Sequence, residues 1–265
     1  MKKAPVRRMS FTAFIVASLV AGGVVASSAD TTTATNPNAV KIEANKVTKI
    51  RGCTLKPKAN CSKKDFRSLP EAEKDWSGYD LTGINFAGSN LTGINLSESI
   101  LDRADFSNAN LQNANLTDAR AINANFSGAS LRGADLTDGD FTKSRFNKVK
   151  AARAIFAGAD FTNAAGQGAD FSYVDMTGAI FEQVNFKSAN LNNTTGIDAR
   201  FADAQLTGAK FRNSKLQDPD FSGANLQNAD LTGSTITTDM LDTSNYCGAI
   251  LRDGFYAEKD ECDNI

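Results

Sequence analysis

The 265-residue chain contains no histidine. Imidazole is the commonest general base and metal ligand, so its absence excludes Ser–His and Cys–His catalysis and every His-ligated metal site. A long hydrophobic run is also missing, since the apolar stretch from Phe11 to Val25 is short for a membrane span. Neither sign of charge is in excess: 29 Lys+Arg against 30 Asp+Glu leave a formal net charge of −1, which gives no ground for electrostatic nucleic-acid binding. The sequence holds no CxxC, Gly-rich phosphate loop, nucleophile elbow or EF-hand loop. Its many Asp residues are read as solvated turn residues, not as acid–base pairs. No catalytic residue, cofactor or metal site is therefore assigned.

The two ends of the short apolar stretch give it a meaning. Lys2, Lys3, Arg7 and Arg8 precede it, and the small residues Ala26, Ser27, Ser28 and Ala29 follow it. This is the layout of a secretory signal, residues 1–29. An uncleaved membrane anchor is the alternative, disfavoured by the short apolar core. Arg7-Arg8 matches a twin-arginine signal only weakly, and no Cys stands at the cleavage site to mark a lipoprotein. Removing 1–29 shifts the formal charge from −1 to −5, with 25 Lys+Arg against 30 Asp+Glu. Residues 30–52, rich in Thr, Asn and Ala, are expected to form a flexible leader.

From there a period of five takes over. ADFSNANLQNANLTD, Ala104 to Asp118, is three near-copies of one phrase, with a large apolar residue in each fifth place. Central residues run from Leu81, Phe86, Leu91 and Leu96 to Leu231, Ile236 and Leu241 without an insertion; 81 to 241 in steps of five is 33 pentads. In an α-helix five residues advance ~500°, which scatters these side chains around the cylinder. In a continuous strand an odd period sends successive central residues to opposite faces. The chain must therefore turn once per pentad. The residue two places before the centre shares its inward side, as Ala104 does with Phe106, and the remaining slots hold residues that tolerate turns and water.

The phrase A-(D/N)-(L/F)-x-x, repeated in unbroken register from about Trp76 to Tyr246, resembles the pentapeptide repeat protein family. The resemblance implies an all-β, right-handed quadrilateral β-helix in which four pentads complete one coil. About eight coils, roughly 40 Å long at ~4.8 Å per coil, are expected. The implied organisation is an N-terminal cap at 53–75, the β-helix at 76–246, and a C-terminal cap at 247–265. Sorted by coil, Phe141, Phe161, Phe181, Phe201 and Phe221 stack on one side, and Phe86, Phe106, Phe126 and Phe146 on the next. Ala121, Ala151, Gly166 and Gly196 underfill their central slots. Ala151 and Gly166 lie close together, so the least regular part is expected at 146–171. Pro219, in an inward small slot, is expected to mark a local kink.

Four cysteines flank the repeats: Cys53 and Cys61 before, Cys247 and Cys262 after. Along the implied rod the two ends are too far apart for a bridge, which needs Cα atoms within ~7 Å. Cys53–Cys61 and Cys247–Cys262 are the pairings left, in agreement with an oxidising compartment. Free thiols and a metal site stand as alternatives, the latter disfavoured by the lack of His and CxxC. CTLKPKANCSKKDF and CGAILRDGFYAEKDEC resemble the disulfide-closed ends of signal-bearing members from cyanobacteria and the thylakoid lumen. ANCSK places Cys61 in a central slot, so the repeat is read as starting there, breaking around Leu69-Pro70-Glu71, and resuming at Trp76. A short capping helix is expected within 64–75.

One charge cluster stands out: Lys143, Arg145, Lys148, Lys150 and Arg153, five cations in quick succession, all in outward slots. A solvated surface with a chance excess of Lys and Arg is the plain reading, and a contact site for an acidic partner or a membrane surface is the candidate functional one. Some members of the family are DNA mimics of type II topoisomerase substrates with acidic surfaces. Here the outward row Asp80, Ile100, Arg120, Asp140, Asp160, Ile180, Arg200, Asp220 is mixed in sign, which argues against mimicry. The expected function is a non-catalytic exported scaffold or protein-binding rod of the periplasm or thylakoid lumen. Its expected partner is another protein, with no nucleic acid and no stable membrane insertion after signal cleavage. An enzyme or accessory factor with a site at an end cap is the alternative.

Overall fold

The computed structural model describes residues 48–257. The chain divides into two units, Met1–Ala39 and Val40–Ile265, and every described residue belongs to the second. The expected signal at 1–29 lies outside the described residues, as does Cys262.

The residue before each central position forms a parallel bridge with its counterpart four pentads further on: Asp80↔Ile100, Asn85↔Asp105, Asn90↔Asn110, Asn95↔Asn115. Each coil thus comprises four pentads, with one bridging position in each. Backbone hydrogen bonding explains the repeat phrase, because all five N–H groups of a pentad need acceptors. In the pentad Leu111–Asn115, Leu111 donates to Ser130 O (2.7 Å), Asn113 to Arg132 O (3.0 Å), Ala114 to Leu111 O (3.0 Å), and Asn115 to Ile94 O (2.9 Å). The fifth, Gln112 N–H, goes to a side chain, Asn110 Oδ1, at 3.1 Å. Asp and Asn before the central residue are therefore turn-closing acceptors. The third residue of the turn has positive φ, 65° at Gly83 and 53° at Asn113, as a type II turn requires.

The core is a set of side-chain columns. Phe141, Phe161, Phe181, Phe201 and Phe221 stack with ring centroids 5.2, 5.2, 4.9 and 5.1 Å apart. Phe86, Phe106, Phe126 and Phe146 stack at 5.5, 5.0 and 4.9 Å. Offset stacking of this kind adds to the ~1.5–3 kcal/mol that burying each such side chain contributes.

The coil is not least regular at 146–171. Bridges and the backbone bonds that close each turn continue there, although the Asn147, Ala152 and Ala157 N–H groups have no side-chain acceptor among the described residues, and neighbouring rings occupy the space that Gly166 leaves. A Cβ on Gly166 would lie 2.8 Å from Phe186 Cε1 and 3.3 Å from Phe171 Cε2. Regularity fails further on. At β3 (Thr195–Ile197) and β4 (Lys215–Gln217) the turns open into a short parallel strand pair, Gly196 opposite Leu216. Pro219 has no N–H to return to the Leu216 carbonyl, and Ala199 in the same slot below makes no such bond to Gly196. The departure expected at Pro219 is thus an unwound turn.

At the N-terminal end, β1 (Thr48–Ile50) pairs antiparallel with β2 (Cys53–Leu55). Arg51 and Gly52 have φ of 49° and 74°, the pair of left-handed residues that a type I′ hairpin turn demands. Residues 48–52, assigned above to a flexible leader, are therefore a strand and a tight turn. The ladder begins at Asn60↔Asn85. This bridge and Asp65↔Asn90 each span five pentads, whereas Asp75↔Asn95 spans four, so one extra pentad protrudes between Asp65 and Asp75. It does not form the expected helix over 64–75. Phe66 and Leu69 are buried, Pro70 is extended (φ −53°, ψ 147°), and only a 3₁₀ turn, Glu71–Glu73, follows. At the other end a 3₁₀ turn spans Thr238–Met240, and the chain folds back so that Ile250 pairs antiparallel with Tyr256.

Candidate functional site

Cys53 and Cys61 are joined, with Cα atoms 5.1 Å apart, which ties the hairpin to the first coil. Cys247 is also disulfide-bonded; the expected pairing with Cys262 lies outside the described residues. No group of three or more His, Cys, Asp or Glu is placed to hold a metal ion among the described residues. No helix among them is long and apolar enough to cross a membrane.

The surface charges obey a geometry that the linear sequence hides. The residue after a central position lies beside the bridging residue of the next coil, 18 places on. Arg120 pairs with Asp102 and Arg200 with Glu182 in this relation. Arg212 pairs with Asp230 and Gln112 with Ser130 likewise. Burial pushes the Asp102 carboxyl above its ordinary value, outweighing Arg120 and the Ile122 N–H, and the like charge of Asp140 adds to it. Burial would raise Asp230 too, but Arg212 together with the hydroxyl and N–H of Thr232 holds it below the ordinary carboxylate value.

The five cations singled out above are all exposed, but they do not converge. Lys143, Lys148 and Arg153 are the left-handed residues of three successive corners, with φ of 59°, 54° and 63°. Arg145 and Lys150 are bridging residues of two adjacent sides. None of the five belongs to an ion pair among the described residues. No Asp or Glu occurs between Asp140 and Asp160, so nearly one full coil carries cations alone.

Two residues outside that cluster join part of it. Arg132 stands in the same cross-coil relation to Lys150, so two cations occupy slots that Asp102 and Arg120, Glu182 and Arg200, and Arg212 and Asp230 fill with opposite charges. Tyr173 lies one coil above Arg153, whose guanidinium carbon is 5.7 Å from the tyrosine ring centroid. Tyr173 is 55% exposed, and its φ of 59° makes it the one aromatic residue in a left-handed corner among the described residues. Arg132, Arg153 and Tyr173 rim an open groove of about 450 Å³ floored by Gly133, Ala152 and Ser172. Sequence reading missed Arg132 and Tyr173; their spacings of 18 and 20 from Lys150 and Arg153 are the signal that finds them.

A family model for pentapeptide repeats matches this chain in eight copies, over residues 80–118, 109–147, 144–183, 181–218 and 199–237. No curated protein matches the chain in sequence. Among solved structures, it is similar to HetL, a pentapeptide repeat protein involved in heterocyst differentiation regulation in Nostoc sp. strain PCC 7120. The identity is 21% over 75% of this chain and 93% of that one, with a TM-score of 0.48. A pentapeptide repeat protein of the Arabidopsis thaliana thylakoid lumen is 20% identical over 75% and 96%, TM-score 0.23. QnrB1, a plasmid-mediated fluoroquinolone resistance protein, is 17% identical over 73% and 90%, TM-score 0.36.

Proposed function

Because the chain belongs to the pentapeptide repeat family, we propose that it is a non-catalytic protein-binding scaffold, built as a right-handed quadrilateral β-helix and exported to the periplasm or thylakoid lumen. The coil of four pentads and four bridges supports the β-helix. The basic n-region, short apolar stretch and small residues of 1–29, together with bonded cysteines at both ends of the repeats, support export.

The observation that carries the binding role is the coil between Asp140 and Asp160. It holds Lys143, Arg145, Lys148, Lys150 and Arg153 with no acid between Asp140 and Asp160 and no ion pair among the described residues, whereas Arg120, Arg200 and Arg212 are paired with acids of an adjacent coil. Uncompensated like charges repel one another and are better accommodated against an acidic partner. The partner proposed is another protein, met through this coil.

Affinity capture with the oxidised protein from an extract of its native compartment tests the proposal. A stoichiometric protein partner, released by salt and lost on reversing Lys143, Arg145 and Lys150 to Glu, is the expected result. Retention of a small metabolite with no protein partner would overturn it in favour of an enzyme.

A further inference from the structure

We propose that the groove beside Ala152 is a receptor for a single carboxylate side chain presented by an acidic segment of that partner protein. The inference rests on the protein-binding reading above and locates its point of contact.

The coil supplies its own template for such a site. In most pentads the N–H after the central residue is accepted by the Asp or Asn just before that residue: Thr82 by Asp80 at 3.0 Å, Thr162 by Asp160 at 2.8 Å. Where a cation stands in the acceptor's place, the coil below can supply the oxygen. Lys210 precedes Phe211, and the Arg212 N–H goes instead to Asn192 Oδ1 at 2.8 Å. At Lys150 both provisions fail. Lys150 cannot accept, and the residue below Ala152 is Arg132. The Ala152 N–H has no acceptor among the described residues, nor does the Arg132 N–H one coil below; Asn147, Ala157, Glu182 and Ala202 share that lack, and what sets Ala152 apart is the groove and the cations around it. Ala152 is only 7% exposed and lines the groove, so an acceptor entering there would satisfy a recessed, unpaired donor.

The missing acceptor would sit among cations. Arg132 and Lys150 flank the position in the relation that elsewhere seats a carboxylate beside a guanidinium, and Arg153 closes the corner. Asp170, the bridge partner of Lys150, is engaged by the N–H and hydroxyl of Ser172 and by Asn190. An incoming Asp or Glu oxygen would accept from the Ala152 N–H and meet the two guanidinium groups, making charge-assisted bonds. The small floor residues admit the carboxylate, and the exposed Tyr173 ring offers a face to the chain bearing it. A single recessed donor with three cations suits one carboxylate on a polypeptide; a nucleic acid or an anionic membrane would need a longer track of charge.

The test uses the oxidised protein, ¹⁵N-labelled, with a fluorescein-labelled Glu/Ser peptide as probe and its Gln/Ser counterpart as control. Expected are a downfield shift of the Ala152 amide with the Glu peptide alone, and saturable, salt-sensitive anisotropy. The informative variant is Lys150→Asp, which restores the acceptor that other pentads carry. It should abolish the amide shift and weaken binding at least ~10-fold while raising the melting temperature. Lys143→Asp, an equal charge change at another corner, should weaken binding far less. Arg132→Gln, Arg153→Asn and Tyr173→Asn place residues that the same slots hold one or two coils away (Gln112, Asn113, Asn193), so the fold is kept, and each should weaken peptide binding.

Equal losses for Lys150→Asp and Lys143→Asp would reduce the effect to overall charge and overturn the receptor. So would an Ala152 shift produced by single-stranded DNA or phosphatidylglycerol vesicles but not by the peptide. Partner capture that survives Lys150→Asp but not the triple reversal would overturn the receptor and leave the scaffold role standing.

Discussion

Gly166→Ala decides whether the underfilled slot is a void or is already occupied, because the two cases predict opposite signs. The φ of Gly166 is outside the left-handed region, so alanine carries no backbone strain. In an empty slot it would stabilise the protein by ~0.4–1 kcal/mol through the unfolded chain alone. The structure predicts a loss instead. The new Cβ would lie 2.8 and 2.9 Å from two carbons of Phe186 and 3.3 Å from Phe171, where carbon atoms prefer ~3.5–4.0 Å. Phe186 must retreat by about 0.7 Å on that scale, but Phe171 holds it at 4.9 Å on one side and Phe181 at 5.6 Å on another. Overpacking of this kind costs ~1–3 kcal/mol, or roughly 2–4 °C of melting temperature per kcal/mol in a domain of this size. Thermal and urea melts followed by circular dichroism measure it. Phe186→Leu in the Gly166→Ala background should recover part of the loss, giving a favourable coupling in the double-mutant cycle. A stabilising Gly166→Ala would refute the claim that neighbouring rings fill the slot.

Three further outcomes follow from particular contacts. Asp230→Asn should lose up to ~1 kcal/mol at pH 7. The native Asp230 carboxyl sits below its ordinary value, so its contribution is full above that value, and the gap to the variant should close as the pH falls through the depressed one. Asp102 runs the other way. Its carboxyl is raised in the fold, so the native state binds the proton more tightly and its ionised form is a cost at neutral pH. Asp102→Asn keeps an oxygen for the Ile122 N–H and should be neutral to stabilising at pH 7, with any gain vanishing on acidification as Asp102 itself protonates; melts from pH 3 to 7 check both. Opening the short Cys53–Cys61 loop with Cys53→Ser/Cys61→Ser should cost ~2–3 kcal/mol. Hydrogen exchange should place the loss in the first coil, where Ser89 donates to the Cys61 carbonyl, and leave 141–221 unchanged. Phe161→Ala removes a ring packed against Phe141, Phe146, Phe156 and Phe181 and should cost ~3–5 kcal/mol, read from the same melts.

What the sequence states openly is whatever repeats. A side chain in every fifth place can be buried only if the chain turns once per pentad, so the inward slots and the stacked phenylalanines are readable before any coordinates. Defects are less readable, because their consequence depends on neighbours a coil away. Gly166 marks missing volume, but only the coil shows Phe186 and Phe171 leaning into it. Pro219 is different. Its missing N–H is a property of the residue itself, whereas the same opening at Gly196–Ala199, where an N–H is present, shows only in the pairing of β3 with β4. The hairpin at 48–55 was hidden for a third reason: Arg51-Gly52 is a weak turn signal beside Asn-Gly, and the strand before it is only three residues long.

The candidate site belongs to the hidden class, and the reason is geometric. Proximity in this fold follows separations of 18 and 20, not nearness along the chain, so a run such as Lys143 to Arg153 is spread over three corners while Arg132, Arg153 and Tyr173 line one groove. A local cluster of charge therefore says that a coil is basic and nothing about where its cations meet. The hydrogen-bond accounting is sharper. A repeat that satisfies its fifth N–H with an Asp or Asn oxygen makes each departure from that rule a question about an acceptor. Arg120 and Lys210 answer it with Asp102 and Asn192 from the coil below. Arg145, Lys150 and Arg200 leave the N–H of Asn147, Ala152 and Ala202 without an acceptor among the described residues; of these only Ala152 lines the groove with Arg132 and Arg153, where an acceptor from outside the coil would meet cations.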